Sequence, residues 1–190
     1  METETTKANS LKESAINHLI ASKEWSKKAW LINAAILLAL IIAWAAIHNI
    51  QVHQYRKDMA VTVDLIRQGA IDSEYMIDDY STEWSDAIDY GTDFDDAIDH
   101  QHEQFIAYGE IDAVEKTQKR VKLQMQELRN PPGKYEEEYQ YLMELYGSYK
   151  TYSNLSIYPS GSLLTFNEKT GELKDEIDEG VDKLETLIER

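Results

Sequence analysis

Residues 59–87 read MAVTVDLIRQGAIDSEYMIDDYSTEWSDA, and their spacing decides the fold. Met59, Val63, Ile66, Ala70, Ser73, Ile77, Tyr80, Trp84 and Ala87 recur at intervals of four and three without a slip. Such spacing keeps one stripe of a helix turned toward a partner along its whole length. A half-buried strand needs alternation at period two, which never persists here past a few residues. No proline falls between residues 48 and 90. Gly69 is the weak point, at about 1 kcal/mol relative to alanine in a helix.

Downstream, Gly91-Thr92-Asp93 interrupts the stripe, and Asp93 is placed to cap a second helix running to about Arg129. Its expected apolar face is Phe94, Ile98, Phe105, Tyr108, Ala113, Val121, Met125 and Leu128. Asn130-Pro131-Pro132-Gly133 stops that helix, because proline cannot continue it and restricts the residue before it. A third helix, about 134–156, presents Tyr135, Tyr139, Leu142, Tyr146 and Tyr149. After the turn at Tyr158-Pro159-Ser160-Gly161-Ser162, a fourth presents Leu163, Phe166, Thr170, Leu173, Ile177, Gly180 and Leu184. The expected fold class is therefore all-α, a single transmembrane helix followed by an antiparallel four-helix bundle of two long and two shorter helices. The long hairpin, at 1.5 Å per residue, stands taller than the short one. Its tip, about residues 76–98, is expected to project beyond the four-helix section.

Ahead of the stripe, Ala29 to Ile47 reads AWLINAAILLALIIAWAAI, 19 residues with one polar side chain, Asn33, and no charge. A helix of that length reaches about 28 Å, close to the hydrocarbon thickness of a bilayer. Trp25 and Trp30 lie at one end, Trp44 and Tyr55 near the other, where amphipathic rings favour the interface. Lys12, Lys23, Lys27 and Lys28 precede the span, while Arg56, Lys57 and Arg67 follow it. That bias places the N-terminus in the cytoplasm and the C-terminal domain outside the cell. Ala43-Trp44-Ala45 offers a small-x-small cleavage site, but the preceding segment and the apolar run both exceed the lengths of a secretory leader, so an uncleaved anchor is expected. Ala35, Ala39 and Ala43 form a small-xxx-small row that suits pairing of two anchors. Ser10-Leu-Lys-Glu13 has the form of a capping box, opening a short amphipathic helix with Leu11, Ala15, Ile16, Leu19 and Ile20 on one side. The expected organisation is a cytoplasmic segment over 1–28, an anchor over 29–50 in contact with lipid through 29–47, and an acidic extracytoplasmic domain over 51–190.

Charge is unevenly placed. The whole chain holds 19 Lys+Arg against 35 Asp+Glu, a net of −16. Residues 1–50 hold five lysines and four glutamates, net +1, which leaves −17 for residues 51–190. So acidic a domain repels phosphate backbones, and no nucleic-acid partner is expected. The absence of cysteine excludes disulfides, thiolate metal sites and cysteine nucleophiles.

Residues 72–99 contain eleven acids and no Lys or Arg. Within them, Asp78, Asp79, Tyr80, Glu83, Trp84, Asp86, Asp89, Tyr90, Asp93, Phe94, Asp95 and Asp96 form the candidate partner-binding tip. Carboxylates there would steer a basic partner while aromatic rings anchor it. Closely spaced carboxylates also suit hard cations, but Asp93-Phe94-Asp95-Asp96 lacks the glycine and distal glutamate of a calcium loop. A solvated acidic face that keeps the domain soluble is the plainer alternative.

Signs of catalysis are missing. His18, His48, His53, His100 and His102 are the only histidines, and none stands at metal-ligand spacing with another. Ser160-Gly161-Ser162 resembles a loop cap, and no glycine-rich phosphate loop occurs. No enzymatic activity and no cofactor are expected. The tyrosines of the third helix read as core and core-rim residues, or as the lining of a ligand pocket between helices.

Pro131-Pro132-x-x-Tyr135, the run Tyr141, Leu145, Tyr146 and Tyr149, then Leu155-x-x-x-Pro159-Ser-Gly-Ser162-Leu163 and Phe166-Asn167 carry a resemblance. They are similar to small membrane-anchored or lipid-linked extracytoplasmic helical proteins of Gram-positive bacteria, a set largely without assigned function. The likeness covers the last third of the chain and implies an extracytoplasmic helical domain, with no catalytic residues to carry over. This chain departs from the lipid-linked members in having no lipobox cysteine. The expected function is a non-enzymatic, membrane-anchored envelope protein that binds a protein partner or itself through its outward helical rod. An extracytoplasmic ligand- or cation-binding sensory domain is the alternative.

Overall fold

A computed structural model describes the backbone of residues 2–188 and the side chains of residues 30–188. Among the described residues the chain is all-helical, without strands: α1 (Glu2–Tyr90), α2 (Phe94–Tyr108), α3 (Glu110–Glu127), α4 (Glu136–Ile157) and α5 (Leu163–Ile188), with a 3-10 turn at Gly133–Tyr135. The chain divides into two compact units, Met1–Gln51 and Val52–Arg190.

In the first unit, helical backbone runs through Ser10, where the capping-box pattern placed a helix start. The apolar side chains expected there, Leu11 to Ile20, lie outside the described ones. From Trp30 onward every side chain of this unit is exposed. This stretch is long and apolar enough to cross a membrane, with a mean hydropathy of 2.4 over an 18-residue window of which nothing is buried.

In the second unit the 4-3 stripe of α1 is the buried face. Met59, Val63, Ile66, Ser73, Ile77, Tyr80, Trp84 and Ala87 are buried, and Ala70 is half-buried. The stripes of α4 and α5 turn inward too, through Tyr135, Leu142 and Tyr149, and through Phe166, Thr170, Ile177 and Leu184. Contacts between elements follow a regular order. The Tyr55 hydroxyl donates to the Leu128 carbonyl at 2.9 Å, Gly69 faces Thr117 and Tyr149, and the Tyr80 hydroxyl meets His102 Nδ1 at 2.9 Å. On the other side Arg67 pairs with Glu185, Glu74 with Lys174 at 3.3 Å, and Ser81 donates to Asn167 at 2.7 Å.

Two expectations need correction. The second helix, expected unbroken from 93 to 129, is two helices, because Gly109 adopts the left-handed conformation (φ 77°) that ends α2. The break resets the helical phase. Phe94, Tyr108 and Ala113, expected on the apolar face, are exposed, and Ile111 and Val114 are buried instead. The uncovered tip is also shorter than expected. Tyr135 stacks on Tyr55 at 5.7 Å, so α4 starts level with Tyr55 and its 22 residues carry it up to about Ile77. The following turn brings Phe166 against Trp84, ring centroids 5.4 Å apart. Packing thus reaches Trp84, and full exposure begins at Ile88 rather than near residue 76.

Gly69 reverses the weak-point reading. A Cβ built there would lie 2.8 Å from Tyr149 Cζ and 2.9 Å from Thr117 Cγ2, well inside van der Waals contact. The missing side chain is the space that the tyrosine ring fills. Burial pushes the Tyr149 hydroxyl above the ordinary tyrosine value, despite the nearby Ser153 hydroxyl, so it stays neutral.

Gly69→Ala should therefore destabilise the full-length protein by about 1–3 kcal/mol through overpacking. Gly147→Ala, at an exposed helical position with nothing within 4 Å, should stabilise it by about 0.5–1 kcal/mol. Urea unfolding in neutral detergent measures both, and equal effects at the two sites would contradict this packing.

Candidate interaction surface

The turn between α1 and α2 is built by two caps. Gly91 (φ 67°) follows the last turn of α1, with Thr92 N–H bonded to Ala87 O at 3.0 Å and Gly91 N–H to Ile88 O at 3.4 Å. This is the Schellman pattern, which needs a residue free to take positive φ. Asp93 then caps α2, its Oδ1 accepting from the Asp95 and Asp96 amides at 3.0 and 3.4 Å. Asp95 and Asp96 occupy the first helical turn, where negative charge complements the helix dipole. Part of the acidic run is thus explained by helix geometry alone.

The twelve candidate residues separate into three groups. Tyr80 and Trp84 are core residues: Tyr80 is closed in by Phe105, edge-to-face at 5.1 Å, and Trp84 by Phe166. Their expected role as partner anchors is corrected, since neither presents surface to a partner. Asp79 and Glu83 are half-buried, and Asp79 accepts from Gln101 Nε2 at 3.4 Å. Asp78, Asp86, Asp89, Tyr90, Asp93, Phe94, Asp95 and Asp96 are exposed. One residue joins them that sequence reasoning passed over. Ile88 is 61% exposed beside Tyr90 at 80% and Phe94 at 49%, and every residue from Ile88 to Asp96 is exposed. The signal for Ile88 was its place one residue off the buried stripe that ends at Ala87.

Below this turn, Asp79 and Glu110 face each other across α1 and α3. Glu110 Oε2 is enclosed without a hydrogen-bond partner. Desolvation, reinforced by the Asp79 charge, holds the Glu110 carboxyl above the usual carboxylate range. The first turn of α3 favours a negative charge by roughly 0.3–1 kcal/mol, which the enclosed oxygen outweighs. Among the described residues no three His, Cys, Asp or Glu side chains converge as metal donors.

Comparison of the chain with protein-family models, with curated proteins and with solved structures gives no match.

A carboxyl whose folded pKa is raised holds its proton more tightly in the folded state, so its contribution favours folding at low pH. That contribution is lost as pH rises from the ordinary value of 4.5 through the raised one. Glu110→Gln should accordingly raise the melting temperature at pH 7 and give no such gain at pH 4. A lower melting temperature at pH 7 would contradict the burial described.

Proposed function

We propose that this chain is a single-pass membrane protein without catalytic activity, whose outer helical domain docks a protein partner through its acidic tip. On this reading residues 29–47 cross the bilayer with the flanking lysines on the cytoplasmic side. Residues 52–188 form an antiparallel four-helix bundle in which α2 and α3 make one bent arm. The order of contacts supports that arrangement. As α1 rises through 55, 69 and 80, its partners fall through 128, 117 and 102. Along the other flank 67, 74 and 81 meet 185, 174 and 167.

The observation that carries the function is the fully exposed run Ile88–Asp96. Three large apolar side chains stand in it among Asp89, Asp93, Asp95 and Asp96, with no cation between residues 72 and 99. Ile88, Tyr90 and Phe94, 61%, 80% and 49% exposed, forgo part of the roughly 1.5–3 kcal/mol that full burial of a large apolar side chain contributes. A partner segment bearing lysines or arginines around an apolar patch recovers that energy. The carboxylates raise its rate of encounter and fix its orientation. Exposed aromatic and aliphatic residues ringed by like charges form the usual pattern of a contact hot spot with a polar rim.

A photoreactive residue in place of Ile88 tests this in intact membranes. A crosslinked partner should appear, diminish about tenfold or more in the Asp86→Lys, Asp89→Lys double variant, and weaken as salt rises. No crosslink, or one indifferent to charge reversal, would sink the proposal.

A further inference from the structure

The domain's few cations are as segregated as its acids. Residues 116–134 hold Lys116, Lys119, Arg120, Lys122, Arg129 and Lys134 against one acid, Glu127. Lys119 and Lys122 share one face of α3 at i, i+3 spacing. Lys150 joins them from α4 around a surface cavity of about 410 Å³, lined by the half-buried Tyr146 with the buried Tyr149 behind it. Gln118 Nε2, at 2.9 Å from Ser153 Oγ and 3.1 Å from Asn154 Oδ1, ties the two helices together along this wall.

Among the described cations only Arg67 and Lys174 pair with carboxylates, so most of the domain's Lys and Arg side chains are free to meet an anion. Lys119, Lys122 and Lys150 form no ion pair with any described residue. With Glu115 also on the lining, the cavity has a local charge of +2, from three ammonium groups and one carboxylate. The volume falls in the range of small-molecule sites, about 300–1,000 Å³.

We propose that this cavity binds a phosphate monoester, the dianion held by Lys119, Lys122 and Lys150 and the organic part laid against Tyr146. Ammonium groups act as point charges for phosphate oxygens, and a dianion matches the local +2. The domain's overall negative charge does not prevent it. Screening over about 8 Å at physiological ionic strength leaves the nearest lysines to set the field at the cavity. The inference is independent of the tip, which lies on the α1–α2 turn, and of what docks there.

Phenyl phosphate is the probe, titrated calorimetrically into the full chain in phosphatidylcholine nanodiscs. We expect saturable binding at one site per chain, weakened about tenfold or more by Lys119→Gln, Lys122→Gln and Lys150→Gln together. The same charge change at Lys57→Gln, Lys134→Gln and Lys169→Gln should leave it within about twofold. Thermal melts of both triple variants show that each is folded. Discs containing phosphatidic acid, a lipid phosphate monoester, separate the sources of phosphate. Undiminished phenyl phosphate affinity there assigns a soluble ligand, and competition by the anionic lipid assigns a headgroup. Absence of saturable binding, or equal loss in the two triple variants, overturns the proposal.

Discussion

Three helices meet at one point with no room for a methyl group. The ring of Tyr149 on α4 lies on the bare backbone of Gly69 on α1, and Thr117 on α3 closes the third side. Because the fit tolerates no extra atom, it sets the register of α4 and α3 against α1, and the other contacts follow at helical spacing. Below it Tyr55 reaches Leu128 and stacks on Tyr135. Above it Tyr80 meets His102 and Trp84 meets Phe166. A core held this way is formed without disulfides, in a chain that has no cysteine.

From that register comes the division of the surface. Packing that starts at Tyr55 and runs out at Ala87 leaves the α1–α2 turn uncovered. The acids and apolar side chains clustered at that turn are exposed by geometry. The cations instead gather on α3, where Lys119 and Lys122 face Lys150 across the cavity. Two surfaces of opposite sign thus stand on one small domain. Each surface is set on helices whose side chains are fixed by the core beneath.

Much of this was legible in the residues. The 4-3 stripe of α1 needed no tertiary information, because burial follows from periodicity over eight turns, and the proline pair at 131–132 marks an unmistakable stop. The break at Gly109 was not legible. A lone glycine inside a helical pattern can be tolerated or can end the helix, and Tyr108 and Ala113 sit at plausible core spacing until the phase is reset. The tip was half legible. Its charge is plain in the sequence, yet Tyr80 and Trp84 belong to the buried stripe, and a residue cannot serve the core and a partner at once. The Tyr146–Tyr149 cavity was foreseeable as a tyrosine-lined pocket. Two of its lysines, Lys119 and Lys122, come from α3, more than 20 residues away in sequence, and only folding brings them beside Lys150.

The absence of cysteine makes one measurement direct. Single-cysteine variants Thr6→Cys and Tyr90→Cys, treated on intact cells with a membrane-impermeant maleimide, report which side of the bilayer each position occupies. An anchored protein with its acidic tip outside predicts that Tyr90→Cys is labelled at once in the membrane fraction and that Thr6→Cys is labelled only after lysis. Labelling of Thr6→Cys on intact cells, protection of Tyr90→Cys, or recovery of the chain in the soluble fraction would contradict the account.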